Sequence, residues 1–145
     1  MLNKTSDEGR HAGQSALVLL WLAVIYGVAS LIHFVHNALY LHDYPKMPVW
    51  LTSLGVYAAW LVVAAVGCVG YGLYRWGLRR VGLLVMAIYA LLGMDSLGHY
   101  LVAPLAAHTL AMNVTILGEV GSAAVLLVFT AYLFFAETRA PYIRS

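Results

Sequence analysis

The sequence predicts an all-α integral membrane protein, a bundle of four transmembrane helices with both termini on the cytoplasmic side. Three observations carry that prediction. The chain of 145 residues is 63% hydrophobic and only 10% charged, far from the composition of an average soluble domain. Its apolar residues gather into four runs, 15–41, 49–74, 81–102 and 105–136, each reaching the roughly 20 residues that a helix needs to cross a bilayer. The basic residues are sorted by side: Lys4 and Arg10 precede the first run, Arg75, Arg79 and Arg80 lie between the second and third, and Arg139 and Arg144 follow the fourth. Only Lys46 falls in the other two connections. Basic residues stay on the cytoplasmic side, so the connections around residues 42–48 and 102–107 face outward, across an inner (plasma) membrane.

The domain organisation follows: a polar tail 1–13, expected to fray, with His11 solvated; a four-helix domain 14–137; and a short C-terminal tail 138–145. The first run is longer than a signal-peptide core and lacks a cleavage site after it, so it reads as a span. It carries Tyr26, Ser30, His33 and Asn37 at i, i+4, i+7 and i+11, one polar stripe on an otherwise aliphatic helix, with His36 and Tyr40 at its edge. Such a stripe faces protein or water, not lipid.

Pro45 and Pro48 end the first helix and set up the second. Tyr44 and Trp50 fit an outer aromatic belt, Tyr74 and Trp76 an inner one. The second run holds no ionisable group; its Gly67, Gly70 and Gly72 suit close helix packing, and the single Cys68 reads as packing too. The third run is plain until Asp95, Ser96, His99 and Tyr100 cluster near its outer end. The fourth repeats the polar stripe with His108, Met112, Thr115, Glu119 and Ser122. Two stripes of that regularity predict facing helices. Counted inward at about 1.5 Å per residue, His33 and Glu119 reach matching depth.

A charged carboxylate at the bilayer centre costs about 3 kcal/mol, so Glu119 and Asp95 need partners, and histidines are the ones available. Glu119 with His33 is the candidate catalytic pair. Asp95 and His99, four residues apart on one helix face, with His108 opening the next helix across the Pro104 turn, form a candidate metal-ligand set, and His36 is the fourth ligand. Imidazole with carboxylate suits copper, zinc or iron, and Met112 adds a soft donor that favours copper.

The segment Asp95-x-x-Gly98-His99, Val102-Ala103-Pro104-Leu105 and His108 resembles the copper-ligating stretch of the C subunit of particulate methane and ammonia monooxygenases. The resemblance is confined to residues 95–108. It implies copper ahead of zinc and iron, with Asp95, His99 and His108 as ligands, and a protein acting as an oxidase-like membrane enzyme or as a metal-binding subunit of a larger complex. An apolar small-molecule substrate and a homo-oligomer are compatible with this. Two alternatives stand beside it. Haem b, or a quinone-binding electron-transfer subunit, would use His36 with His99 or His108, although the outer loops offer only Lys46 to propionates. A proton or ion pathway would run along the Glu119–His33 column, which ends near mid-membrane. Nothing in the sequence supports nucleic-acid binding.

Overall fold

The computed structural model describes the backbone of residues 2–139 and the side chains of residues 13–137. The expectations for His11, for the tails and for Lys4, Arg10, Arg139 and Arg144 rest on side chains outside that range. Every regular element among the described residues is helical: α1 (Leu2–Leu39), α2 (Ser53–Arg75), α3 (Arg79–Met94), a 3-10 turn (Asp95–Leu97), α4 (Gly98–Val102), a second 3-10 turn (Leu105–Ala107) and α5 (Leu110–Arg139). Four stretches, Gly13–Leu39, Ser53–Arg75, Arg79–Val102 and Leu110–Glu137, are long and apolar enough to cross a membrane. They close a ring in which α1 packs on α2 and α5, and α3 packs on α2 and α5.

Two seams of this ring are built differently. On α1 the residues turned inward are Ala16, Leu19, Tyr26, Ser30, His33 and Asn37, and on α5 they are Met112, Ile116, Glu119, Ala123, Leu126, Thr130 and Leu133. Steps of three and four residues recur along both, the spacing that keeps one stripe of each helix against its partner. Between α2 and α3 the approach is set by glycine. A Cβ on Gly82 would stand 2.3 Å from the backbone N of Tyr74, and one on Gly67 would stand 2.8 Å from the Tyr89 ring, so neither position has room for a side chain. Gly70 is close against Met86, a Cβ there standing 3.0 Å from its backbone N, whereas Gly72 faces open space and takes no part in this packing.

The helix ends correct the sequence reading in ways that bear on the site. α2 begins at Ser53, not near Val49, because the Thr52 hydroxyl accepts the Gly55 N–H at 3.1 Å and caps it. α5 begins at Leu110 for the same reason: Thr109 accepts the Met112 N–H at 3.2 Å. His108 therefore sits in extended backbone before the helix, after a 3-10 turn, and does not open it. Trp50 and Trp76 project outward as belt residues should, but Tyr44 and Tyr74 are buried. Cys68 is exposed on the bundle surface rather than packed inside.

Candidate functional site

The polar side chains collect at the end of the bundle that carries the 40–52 and 103–109 connections. At the bottom of the column is Glu119, 1% exposed. Its Oε2 accepts the hydroxyl of Ser96 in a short hydrogen bond. Ser96 reaches it because the helix tightens to 3-10 geometry over Asp95–Leu97, which turns Ser96 into the core and leaves Asp95 and Leu97 on the outside. Three residues per turn in place of 3.6 add about 60° of rotation over those three residues, and Asp95 is exposed where Ser96 is buried.

His33 of α1 stands beside the same carboxylate, Nε2 lying 3.8 Å from Oε2. Its other ring nitrogen, Nδ1, is 3.3 Å from Thr115 Oγ1. If Thr115 donates its hydroxyl proton to the Met112 carbonyl at 3.0 Å, it accepts from His33, and the His33 N–H lies on Nδ1. In the neutral ring Nε2 then turns a lone pair toward the carboxylate. Two lone-pair-bearing groups facing each other in an apolar bundle call for a proton between them, on Glu119 or on His33.

Two further imidazoles continue the column outward. The His99 ring centroid is 5.4 Å from that of His33 and 6.1 Å from that of His108. Asn37 presents its amide to His99 Nε2 at 3.5 Å. His108 is buried, and its Nδ1 lies 3.1 Å from the Pro104 carbonyl, which can only accept. Its proton is therefore on Nδ1, and Nε2 is a buried lone pair without a partner. The loop that carries His108 is braced by Asn113, which accepts from Tyr100 at 2.8 Å and donates to the carbonyls of Leu105 and His108 at 3.2 and 3.3 Å.

Tyr44 covers the column. It is 3% exposed, with its ring 5.0 Å from His99 and 6.4 Å from His33, and its hydroxyl 2.9 Å from His36 Nδ1. Burial pushes its phenol above the ordinary tyrosine range, against the opposing effect of a hydrogen bond with Thr115. Sequence reasoning put Tyr44 in an aromatic belt because it lies in a loop next to prolines; no local pattern marks it as interior.

The candidate ligands thus separate. His99 and His108 are neighbours, His36 stands on the far side of Tyr44, stacked on Tyr40 at 4.7 Å, and Asp95 is exposed. Among the described residues no group of three or more His, Cys, Asp or Glu side chains gathers closely enough to hold a metal ion. The residues brought together instead are Glu119, Ser96, His33, His99 and His108, with Tyr44, Asn37 and Thr115 against them. Comparison of the chain with family models, with curated proteins and with solved structures finds no match.

Proposed function

We propose that the chain is a multi-pass membrane protein that binds a proton at the Glu119–His33 pair and exchanges it with the outer face through His99 and His108. The observation that carries this reading is the approach of His33 Nε2 to within 3.8 Å of the carboxylate of Glu119, both side chains being buried. The ring spacings of 5.4 and 6.1 Å suit transfer through one intervening water per step. Below Glu119 the inward residues of α5 are Ala123, Leu126, Thr130 and Leu133, with no ionisable side chain among them, so in this reading the pathway loads a proton at mid-depth and does not cross the bundle. A half-pathway of this kind serves a partner subunit, a second copy of the chain or an apolar substrate bound alongside. Infrared difference spectra across a pH titration test it: a buried carboxyl band is expected in the wild type and absent in Glu119→Gln, and a spectrum that the substitution leaves unchanged overturns the reading. The outward placement is tested separately by cysteines at Lys46 and Trp76. An impermeant reagent added to intact cells should label the first and spare the second.

A second reading, copper held at His99 and His108, has one observation in its favour. A histidine tied by Nδ1–H to a backbone carbonyl with Nε2 free has the tautomer and orientation of a metal ligand. Met112, packed with Tyr44 and Tyr100, is a soft donor beside it. Metal analysis with absorption spectra of the purified protein decides among copper, zinc or iron, haem b and none. Bound copper lost in His108→Ala would support this reading and the oxidoreductase or metal-delivery role that goes with it.

A further inference from the structure

Between α1 and α2, beside the exposed Cys68, the bundle leaves a cavity of about 240 Å³. Ala23 and Gly27 of α1 and Ala64, Gly67 and Cys68 of α2 line it, and Tyr89 of α3 reaches it from behind. Tyr89 gets there because both helices withhold side chains: a Cβ on Gly67 would stand 2.8 Å from its ring, and one on Gly27 would stand 3.0 Å from its hydroxyl. The residue is 4% exposed, and the Tyr26 ring packs on it at 4.5 Å. The Tyr26 hydroxyl is enclosed and bonds to nothing, whereas that of Tyr89 opens on the cavity. Among the described residues the Tyr89 hydroxyl has no hydrogen-bond partner; Tyr71, the other phenol at the cavity, reaches instead to the Ala16 carbonyl at 3.4 Å. Gly27, Gly67 and Tyr89 all lie well inside the stretches that are long and apolar enough to cross a membrane.

A phenylalanine at position 89 would fill the same space without a polar atom. In a bilayer a hydroxyl at this depth finds no acceptor among the acyl chains, and no water replaces one. Lipid chains filling the cavity would therefore leave the free energy of a hydrogen bond unrealised. An acceptor carried in by an apolar molecule recovers it. A carbonyl suits the site better than an alcohol or an amide, because it accepts from Tyr89 without bringing an N–H or O–H that the alanine and glycine walls could not pair. A cavity of about 150 Å³ admits benzene, so about 240 Å³ takes one ring with a short side group.

We infer that the cavity between α1 and α2 is a binding site for a small apolar carbonyl compound that enters from the bilayer, with the Tyr89 hydroxyl donating to the carbonyl oxygen. The inference rests on the four spans and not on the proton column, and its failure would leave the Glu119 carboxyl band untouched. The test is thermal unfolding of the full-length protein in detergent, titrated with acetophenone or with α-methylstyrene, which has the same shape but CH₂ in place of the carbonyl oxygen. Acetophenone is expected to raise the midpoint saturably and to bind about fivefold more tightly than α-methylstyrene, the effect of one neutral hydrogen bond. Tyr89→Phe should bring the two to equal affinity without lowering the ligand-free midpoint, and Ala64→Leu, which fills the cavity, should abolish both shifts. No shift with acetophenone, equal affinities in the wild type, or a difference that survives in Tyr89→Phe overturns the inference. Should a variant unfold, the carbonyl stretch of acetophenone with the wild type decides: a band at lower frequency than in empty micelles supports the site, and an unmoved band overturns it.

Discussion

The two seams of this bundle solve helix packing in opposite ways. Between α2 and α3, glycines at 67, 70 and 82 let backbone meet backbone and ring, with Met86 and Tyr89 filling the space and no unpartnered buried polar atom on either helix among the described residues. Between α1 and α5 the same spacing of inward residues carries Ser30, His33, Asn37, Glu119 and Thr130, polar groups buried among the apolar ones. Unpartnered atoms, at Tyr26, Ser30, Asn37, Glu119 and Thr130, fall on this seam. Each such group costs about 1–3 kcal/mol when buried dry. A seam serving only to hold helices together would be built as α2–α3 is; the proposed proton site draws on the other seam, with Ser96 and His99 added from the segment that follows α3.

The comparison breaks most visibly at Gly82. Alanine there puts a methyl carbon 2.3 Å from the Tyr74 nitrogen and 2.8 Å from the Gly70 carbonyl oxygen, contacts with backbone that no rotamer relieves. Gly82→Ala is expected to destabilise the bundle by about 3 kcal/mol, read as a lowered unfolding midpoint in detergent. Gly72→Ala, with nothing within 4 Å, is the control and should be neutral or slightly stabilising in its helix. Equal effects at the two positions would mean that α2 and α3 do not approach through these glycines.

Thr130 sharpens the comparison from the other side. It is buried on the α1–α5 seam beyond the apolar residues Ala123 and Leu126, and its hydroxyl bonds to nothing, whereas Ser122 on the same helix turns its hydroxyl back to the carbonyls of Gly118 and Glu119 at 2.9 Å. Thr130→Val keeps the shape and removes the unpaired group, so the midpoint should rise by the equivalent of about 1 kcal/mol. A loss of stability would reveal a partner for this hydroxyl and extend the polar column toward the inner end.

The two stripes and the four spans were legible because both are periodicities: 3.6-residue spacing and run length survive without any tertiary information. Tyr26, Ser30, His33 and Asn37 were read as one inward face and are buried as one, and Glu119 was read at the depth of His33, which it neighbours at 3.8 Å. The exposure of Asp95 was not, because 100° per residue does not hold through a stretch that tightens to 3-10, and nothing in Asp95-Ser96-Leu97 announces the change. Ser96 is legible as a member of the cluster with His99 and Tyr100, but not as the partner that the turn delivers to Glu119. Thr52 and Thr109 were legible in principle, each a threonine just before an apolar run, and reading them as caps would have placed His108 in the loop. Tyr44 and the Asn113 brace depend on how a loop folds back over the bundle, which residue spacing does not encode.

The smallest expected effect lies at the opposite end of the molecule. Arg79 opens α3, where a positive charge meets the positive end of the helix dipole, and its neighbours offset that. Nε donates to Glu137 Oε1 at 2.6 Å, a terminal nitrogen donates to Tyr74 at 2.9 Å, and the guanidinium stands 5.0 Å from the Tyr74 ring centre. The two charged side chains are 41% and 21% exposed, so water and salt screen the pair, and a double-mutant cycle of Arg79→Gln with Glu137→Gln should return a coupling of about 0.5 kcal/mol that shrinks in high salt. Such an outcome puts this end of the bundle in water, at the membrane surface, in keeping with the basic residues gathered there. A coupling above about 1 kcal/mol that salt does not reduce would instead be that of a pair shielded from water. The bilayer would then reach past Arg79, and the depth of the carboxylate site, counted along α5 from Glu137 to Glu119, would have to be reckoned from a boundary farther out.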